Sequence, residues 1–211
     1  MNQKDAKHEF TDSYHDFLQE NRIWLVFILF LAILVRLALM SYAPHYTAYG
    51  DTAHRYLPTA LNLLQGNGFS LDSTPPFRPS EACVPLYPIF VAGFFLVFGQ
   101  NGFAVVIGQI LLDLITCVLI GFISFRLAPI RLKKLAALFS IIIYGVFSWY
   151  TSQWSVRLLT ETMALFLTVL LISMVISGLQ KRTVYHWFLA GIIGGFALLT
   201  RPDSVLLIGA V

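Results

Sequence analysis

The side chains able to do chemistry in this 211-residue sequence fall in four short polar segments. The first is Tyr49-Gly50-Asp51-Thr52-Ala53-His54-Arg55-Tyr56, with a carboxylate at the start of a helical pattern. Asp51 there either caps the helix, because Asp accepts from free N–H groups at that position, or acts as a general base that the helix start keeps ionised. One carboxylate can do both. His54 and Arg55 follow within a turn and are candidate substrate-binding groups. The second segment, Arg157-Leu158-Leu159-Thr160-Glu161, supplies another carboxylate. Thr160 and Glu161 either cap and charge-balance a helix start, with Arg157 pairing to Glu161 at i,i+4, or Glu161 takes part in chemistry. The third is Thr200-Arg201-Pro202-Asp203. Arg201 either snorkels from a helix end or grips a phosphate with two N–H donors. The fourth, Pro75-Pro76-Phe77-Arg78-Pro79 followed by Pro85-Leu86-Tyr87-Pro88, offers Arg78 as a second phosphate ligand and Tyr87 as a further substrate contact.

The elements that must position these groups are set by composition. Apolar residues make up 57% of the chain and charged residues only 12%, and mean hydropathy is +0.74. A soluble domain cannot hide that much apolar surface, so a soluble enzyme and a nucleic-acid module are excluded. The reading is an all-α polytopic transmembrane bundle. The net charge of +3 is too small to call for a polyanionic partner, and Cys83 and Cys117 form neither a disulfide framework nor a zinc pattern.

Residues 1–22 hold three basic and five acidic side chains, and Phe10, Tyr14, Phe17 and Leu18 form one apolar helical stripe suited to the membrane surface. The segment is no signal peptide, being long and acidic. Residues 23–42 form the first span. Across 43–103 runs a polar loop in which Ala53, Tyr56, Leu57, Ala60, Leu61 and Leu64 repeat at helical spacing until Gly66-Asn67-Gly68 stops the helix. Pro58 must lie in the first turn of that helix or kink it.

Residues 84–98 are apolar but short, with Pro85 and Pro88. The positive-inside rule decides their fate. If 84–98 does not cross, Lys4, Lys7, Arg22, Arg126, Arg131, Lys133, Lys134, Lys181 and Arg182 lie inside, against Arg55, Arg78, Arg157 and Arg201 outside. If it does cross, the split is five inside and eight outside. The first topology wins, with 84–98 as a re-entrant or surface helix and further spans at 104–125, 136–152, 161–179 and 187–200. It gathers Asp51, Arg55, Arg78, Glu81, Arg157, Glu161, Arg201 and Asp203 on one outer face. Arg36 and Asp113 are the only charges deep inside spans. Such groups need partners, and at about 1.5 Å rise per residue they reach similar depths, so a structural pair between spans one and two is expected.

In this order, the pieces resemble the GT-C superfamily of membrane glycosyltransferases, nearest the protein O-mannosyltransferases and the lipid A aminoarabinose transferases. Those enzymes place an acid in the first outer loop, matched by Asp51, then a helix ending in a small-residue turn, matched by 53–65 and Gly66-Asn67-Gly68. A Pro-x-Tyr-Pro-like segment leads into a short embedded helix, matched by Pro85-Leu86-Tyr87-Pro88. A carboxylate follows the third span (Glu161), and a Thr-Arg-Pro-like turn ends the fifth (Thr200-Arg201-Pro202). The loop carries a single acid where the mannosyltransferases carry a pair, and Ser80 to Val84 lengthen the spacing after Arg78.

The resemblance implies a donor sugar on a polyprenyl phosphate, and a lipid, glycan or protein acceptor beside the membrane lipid. Transfer is inverting, with Asp51 as base, Glu161 assisting, and Arg201 with Arg78 on the phosphate. It implies no certain cofactor and leaves a divalent metal open. Short loops without disulfide cysteines point to a bacterial inner membrane, with the site facing the periplasm. The sequence stops within an apolar run at Val211, which reads as the front part of a longer protein. A truncated, non-catalytic module is therefore the alternative, and a transporter a weaker one, because the spans offer few polar groups beyond Arg36, Gln109 and Asp113.

Overall fold

The computed structural model describes residues 13–42 and 50–208. Phe10, Lys4, Lys7 and Tyr49 of the sequence reading lie outside the described residues. Within these limits the protein is an all-α bundle, and its one β-bridge, Ser70 to Pro79, belongs to no strand.

Helix α1 (Tyr14–Glu20) starts at a capping box, Ser13 accepting from the Asp16 N–H while Asp16 accepts from the Ser13 N–H. Its stripe meets protein instead of lipid. Tyr14 and Phe17 are buried against Phe122 and Phe125, and the Tyr14 hydroxyl donates to the Val118 carbonyl at 2.8 Å. The aromatic end of the second long helix thus covers Tyr14 and Phe17 of the stripe. Lys134 pairs with Glu20 at 2.8 Å on the same end of the bundle.

Among the described residues three helices are long and apolar enough to cross a membrane: α2 (Arg22–Tyr42), α5 (Gly102–Leu127) and α8 (Glu161–Lys181). The span expected at 136–152 is broken. Helix α6 (Lys133–Ile142) loosens into a wide π-helical turn (Ile143–Phe147), and α7 (Trp149–Ser155) leaves at 60°. The span expected at 187–200 is α9 (Val184–Leu198), 15 residues long. At about 1.5 Å per residue it is shorter than the roughly 30 Å hydrocarbon core. By length and composition three of the described helices qualify as spans, or four if the bent pair counts as one, but α9 runs back along α8 for its full length, since Arg201 just past its end meets Glu161 at the start of α8. Helix α4 (Leu86–Phe98) has only 13 residues, also too few to cross.

Arg36 of α2 is fully buried. Its Nε donates to Asp113 of α5 at 2.7 Å, and its Nη2 lies 2.6 Å from the same carboxylate oxygen. Nη1 donates to the Ala32 carbonyl and to the Gly145 carbonyl in the π-helical turn. Tyr144, beside Gly145, donates its hydroxyl to Asp113. The arginine thus ties the π-helical turn to both α2 and α5. Gly145 lets the turn come close: a Cβ there would stand 3.1 Å from Cys117 Sγ.

Ahead of α3 (Leu57–Gln65), residues Thr52–Tyr56 form another π-helical turn. Pro58 opens α3 directly after the π-helical turn, whose backbone runs into α3 without a break. Gly66 closes the helix at φ 78°, a left-handed conformation that glycine adopts without strain.

Removing one partner of a buried ion pair costs about 3–5 kcal/mol, while replacing both with apolar groups is near neutral. Arg36→Leu or Asp113→Leu alone should sharply lower the thermal midpoint of the detergent-purified protein, and the double variant should recover most of the loss. Single variants that melt like the parent would show that the pair does not hold the bundle.

Candidate functional site

Three connections bring distant segments together at one end of the bundle. The Thr52 hydroxyl donates to the Leu158 carbonyl at 2.6 Å, fixing the Asp51 turn against the start of α8. The fully buried Tyr87 donates to Gln109 at 2.6 Å, and Gln109 donates on to the Arg157 carbonyl at 2.6 Å. The Leu86 N–H donates to the Leu199 carbonyl at 2.9 Å, which hangs α4 from the end of α9. Helix α9 stops there because Pro202 cannot continue it, and Pro202–Ser204 form a single 3₁₀ turn.

These ties enclose a cavity of about 400 Å³ lined by Asp51, Arg55, Tyr56, Glu81, Cys83, Thr160, Glu161, Thr200, Arg201 and Asp203. A second, of about 420 Å³, lies toward the spans and shares Glu161, Arg201 and Asp203 with the first. Arg201 stands where the two meet. Its Nη1 donates to Glu161 at 3.2 Å and its Nε to Asp203 at 3.2 Å. A guanidinium carries five N–H donors, so these two bonds leave three for a ligand. The Asp203 bond, with the two neighbouring carboxylates, holds Arg201 still more firmly protonated than usual.

Asp51 is half-exposed, with Arg55 3.4 Å away. It makes no side-chain cap, because its own backbone is already helical. The capping alternative is thereby removed, and the carboxylate is left to the cavity. Glu161 turns to Arg201 rather than to Arg157, whose guanidinium lies 5.5 Å above the Trp154 ring. The i,i+4 pair open to the sequence does not form. Burial pushes the Tyr56 phenol up, so it stays neutral beside these acids.

Other candidates sit elsewhere. Arg78 does not line either cavity. Its backbone N–H donates to Asp72 at 2.8 Å and its largely exposed guanidinium faces the same carboxylate, which the N–H holds below its usual pKa. His54 is exposed and away from both cavities. Tyr87 lies in the core under the site, its hydroxyl occupied by Gln109. Among the described residues no three His, Cys, Asp or Glu side chains cluster as metal ligands. Sequence reasoning missed Trp154 and Thr162 as cavity walls; nothing in their local spacing marks them out.

Cys83 borders the Asp51 cavity, and burial raises its thiol pKa. Since only the thiolate attacks a maleimide, labelling should be slow at pH 7 and rise about tenfold per pH unit until the raised pKa is reached. An impermeant maleimide added outside intact cells should mark Cys83 and spare the buried Cys117. Labelling only from the cytoplasmic side would reverse the outer-face assignment.

The family of dolichyl-phosphate-mannose-protein mannosyltransferases matches residues 78–211, a stretch that holds Glu161 and Arg201 and leaves Asp51 outside it. No curated protein and no solved structure matches the chain. With a match over more than half its length, and with apolar crossing helices around a polar cavity, the chain belongs to this family of membrane glycosyltransferases, which draw their sugar from a lipid-linked donor.

Proposed function

We propose that the protein transfers a sugar from a polyprenyl phosphate to an acceptor hydroxyl or amine with inversion, at the periplasmic face of a bacterial inner membrane. One observation carries the reading: Asp51, Glu161 and Arg201, from segments far apart in sequence, line a single cavity. A lipid-linked donor suits that place, since its tail remains in the bilayer while its head reaches the polar end of the bundle.

Asp51 removes the proton from the acceptor, Arg55 keeping the carboxylate turned toward the cavity. The acceptor's lone pair forms the new bond to the anomeric carbon as the bond to the phosphate oxygen breaks. Polyprenyl phosphate leaves with one more negative charge than it carried in the donor. The three uncommitted N–H groups of Arg201 meet that charge electrostatically. Glu161 and Asp203 hold the guanidinium in place, so it need not reorganise as charge develops. Glu161 also assists the acid pocket beside Asp51. The acceptor is a lipid, glycan or protein. Against a transporter stands the use of the polar span residues: Arg36, Asp113 and Gln109 tie helices to one another.

The test is sugar transfer from radiolabelled polyprenyl-phosphate hexoses in membranes containing the protein. Asp51→Asn should lose about 10²–10⁴-fold in rate with membrane insertion unchanged. Full activity of Asp51→Asn would remove it as the base. Arg201→Gln should weaken both donor affinity and rate.

A further inference from the structure

A cleft of about 310 Å³ lies between the end of α2 and α7, lined by Leu39, Tyr42, Trp149, Gln153, Val156 and Arg157. It shares no lining residue with either cavity of the site, and the mechanism above does not use it. Its depth is set by α2. That helix has 21 residues, which at about 1.5 Å each match the roughly 30 Å hydrocarbon core. Tyr42, its last residue, therefore stands at headgroup level. Tyr42 and Trp149 are 85% and 60% exposed, and such amphipathic rings collect at the membrane boundary.

At that level Arg157 is a cation without an anion. Its guanidinium lies on the Trp154 ring, and among the described residues it has no hydrogen bond and no carboxylate partner. Its backbone is fixed all the same. The N–H donates to the Trp154 carbonyl at 3.2 Å, and the Arg157 carbonyl accepts from Gln109 at 2.6 Å and from the Leu159 N–H at 2.8 Å. A guanidinium so placed keeps its five N–H donors for a ligand, and their fork matches a phosphate.

The rest of the lining narrows the ligand. Leu39 and Val156 are apolar and Gln153 offers an amide, which suits an amphiphile with its phosphate on Arg157 and its chains left in the bilayer. A choline or ethanolamine head would set a second cation beside Arg157, and among the described residues no carboxylate lines the cleft to receive it. A glycerol head brings no cation, and its hydroxyls can pair with the Gln153 amide.

We propose that this cleft binds one anionic phospholipid of the surrounding bilayer, its phosphate held by Arg157 and its glycerol head beside Gln153. The site stands apart from the donor reading. A bound lipid also steadies the segment next to the acids, because Leu158 accepts from Thr52, the neighbour of Asp51.

The experiment is native mass spectrometry of the intact protein, delipidated in detergent and titrated with dioleoyl phosphatidylglycerol, phosphatidylethanolamine or phosphatidylcholine. The parent should retain one phosphatidylglycerol at about tenfold lower concentration than either zwitterionic lipid, in line with one hydrogen bond to a charged group. Arg157→Gln should remove that advantage without lowering the lipid-free thermal midpoint, since the backbone bonds at 157 remain. Arg126→Gln, at the other end of the bundle, should keep it. If Arg157→Gln does not fold, Gln153→Leu carries the test and should reduce the advantage. Equal retention of the three lipids by the parent, or an advantage that survives Arg157→Gln or, in its place, Gln153→Leu, would overturn the site. Displacement of the lipid by excess glycerol 1-phosphate would overturn it in favour of free phosphate esters. Displacement by farnesyl phosphate at tenfold lower concentration would overturn it in favour of an isoprenoid lipid.

Discussion

A guanidinium inside a bilayer has no water to return to, and the whole arrangement follows from where Arg36 finds its anion. It finds it on a neighbouring helix, at Asp113, and completes its shell with carbonyls of Ala32 and Gly145. The Gly145 carbonyl lies in the π-helical turn Ile143–Phe147 of the third crossing segment, and Ser148 follows it with a non-helical backbone. The bend that results turns Trp149–Ser155 away from the axis of its own helix. That short helix then supplies Tyr150, Thr151 and Trp154 to the wall of the deeper cavity. A pair that looks purely structural thus anchors the segment whose next helix walls the space beneath the acids.

At the polar end the governing element is the single arginine between two carboxylates. Arg201 with Glu161 and Asp203 leaves one net negative charge, and Asp51 with Arg55 leaves none. The cavity is therefore not a general anion trap. An incoming phosphate has to engage the free N–H groups of Arg201 in competition with carboxylates already there, which favours ligands whose remaining parts also bind. The distances of 3.2 Å on both sides describe contacts firm enough to orient the guanidinium and long enough to yield.

Much of this was legible in the sequence, and the rest failed for identifiable reasons. Hydropathy located the long helices, Pro58 and Gly66 marked the helix that follows Asp51, and depth arithmetic placed Arg36 beside Asp113. The bend at Ser148 was invisible because the residues around it, Ile143–Phe147 and Trp149, are as apolar as the rest of their segment. The stripe of Tyr14 and Phe17 reads the same whether lipid or Phe122 and Phe125 cover it. Arg157 and Glu161 have the spacing of a helical pair, but a partner forty residues on, Arg201, takes the carboxylate and Trp154 takes the guanidinium. Arg78 is claimed by Asp72 through a local turn that composition alone does not reveal.

The bond from the Leu86 N–H to the Leu199 carbonyl also orders events during synthesis. The two residues are 113 positions apart (199 − 86), so on the ribosome the short helix α4 emerges well before the helix end that holds it. At about 5–20 residues per second that interval is on the order of ten seconds. Through it α4, too short to span, is held by its Tyr87 bond to Gln109 and not yet by its N-terminal bond to α9. The polar end of the bundle therefore gains Arg201 only when α9 arrives, and until then Glu161 lacks the cation that holds it.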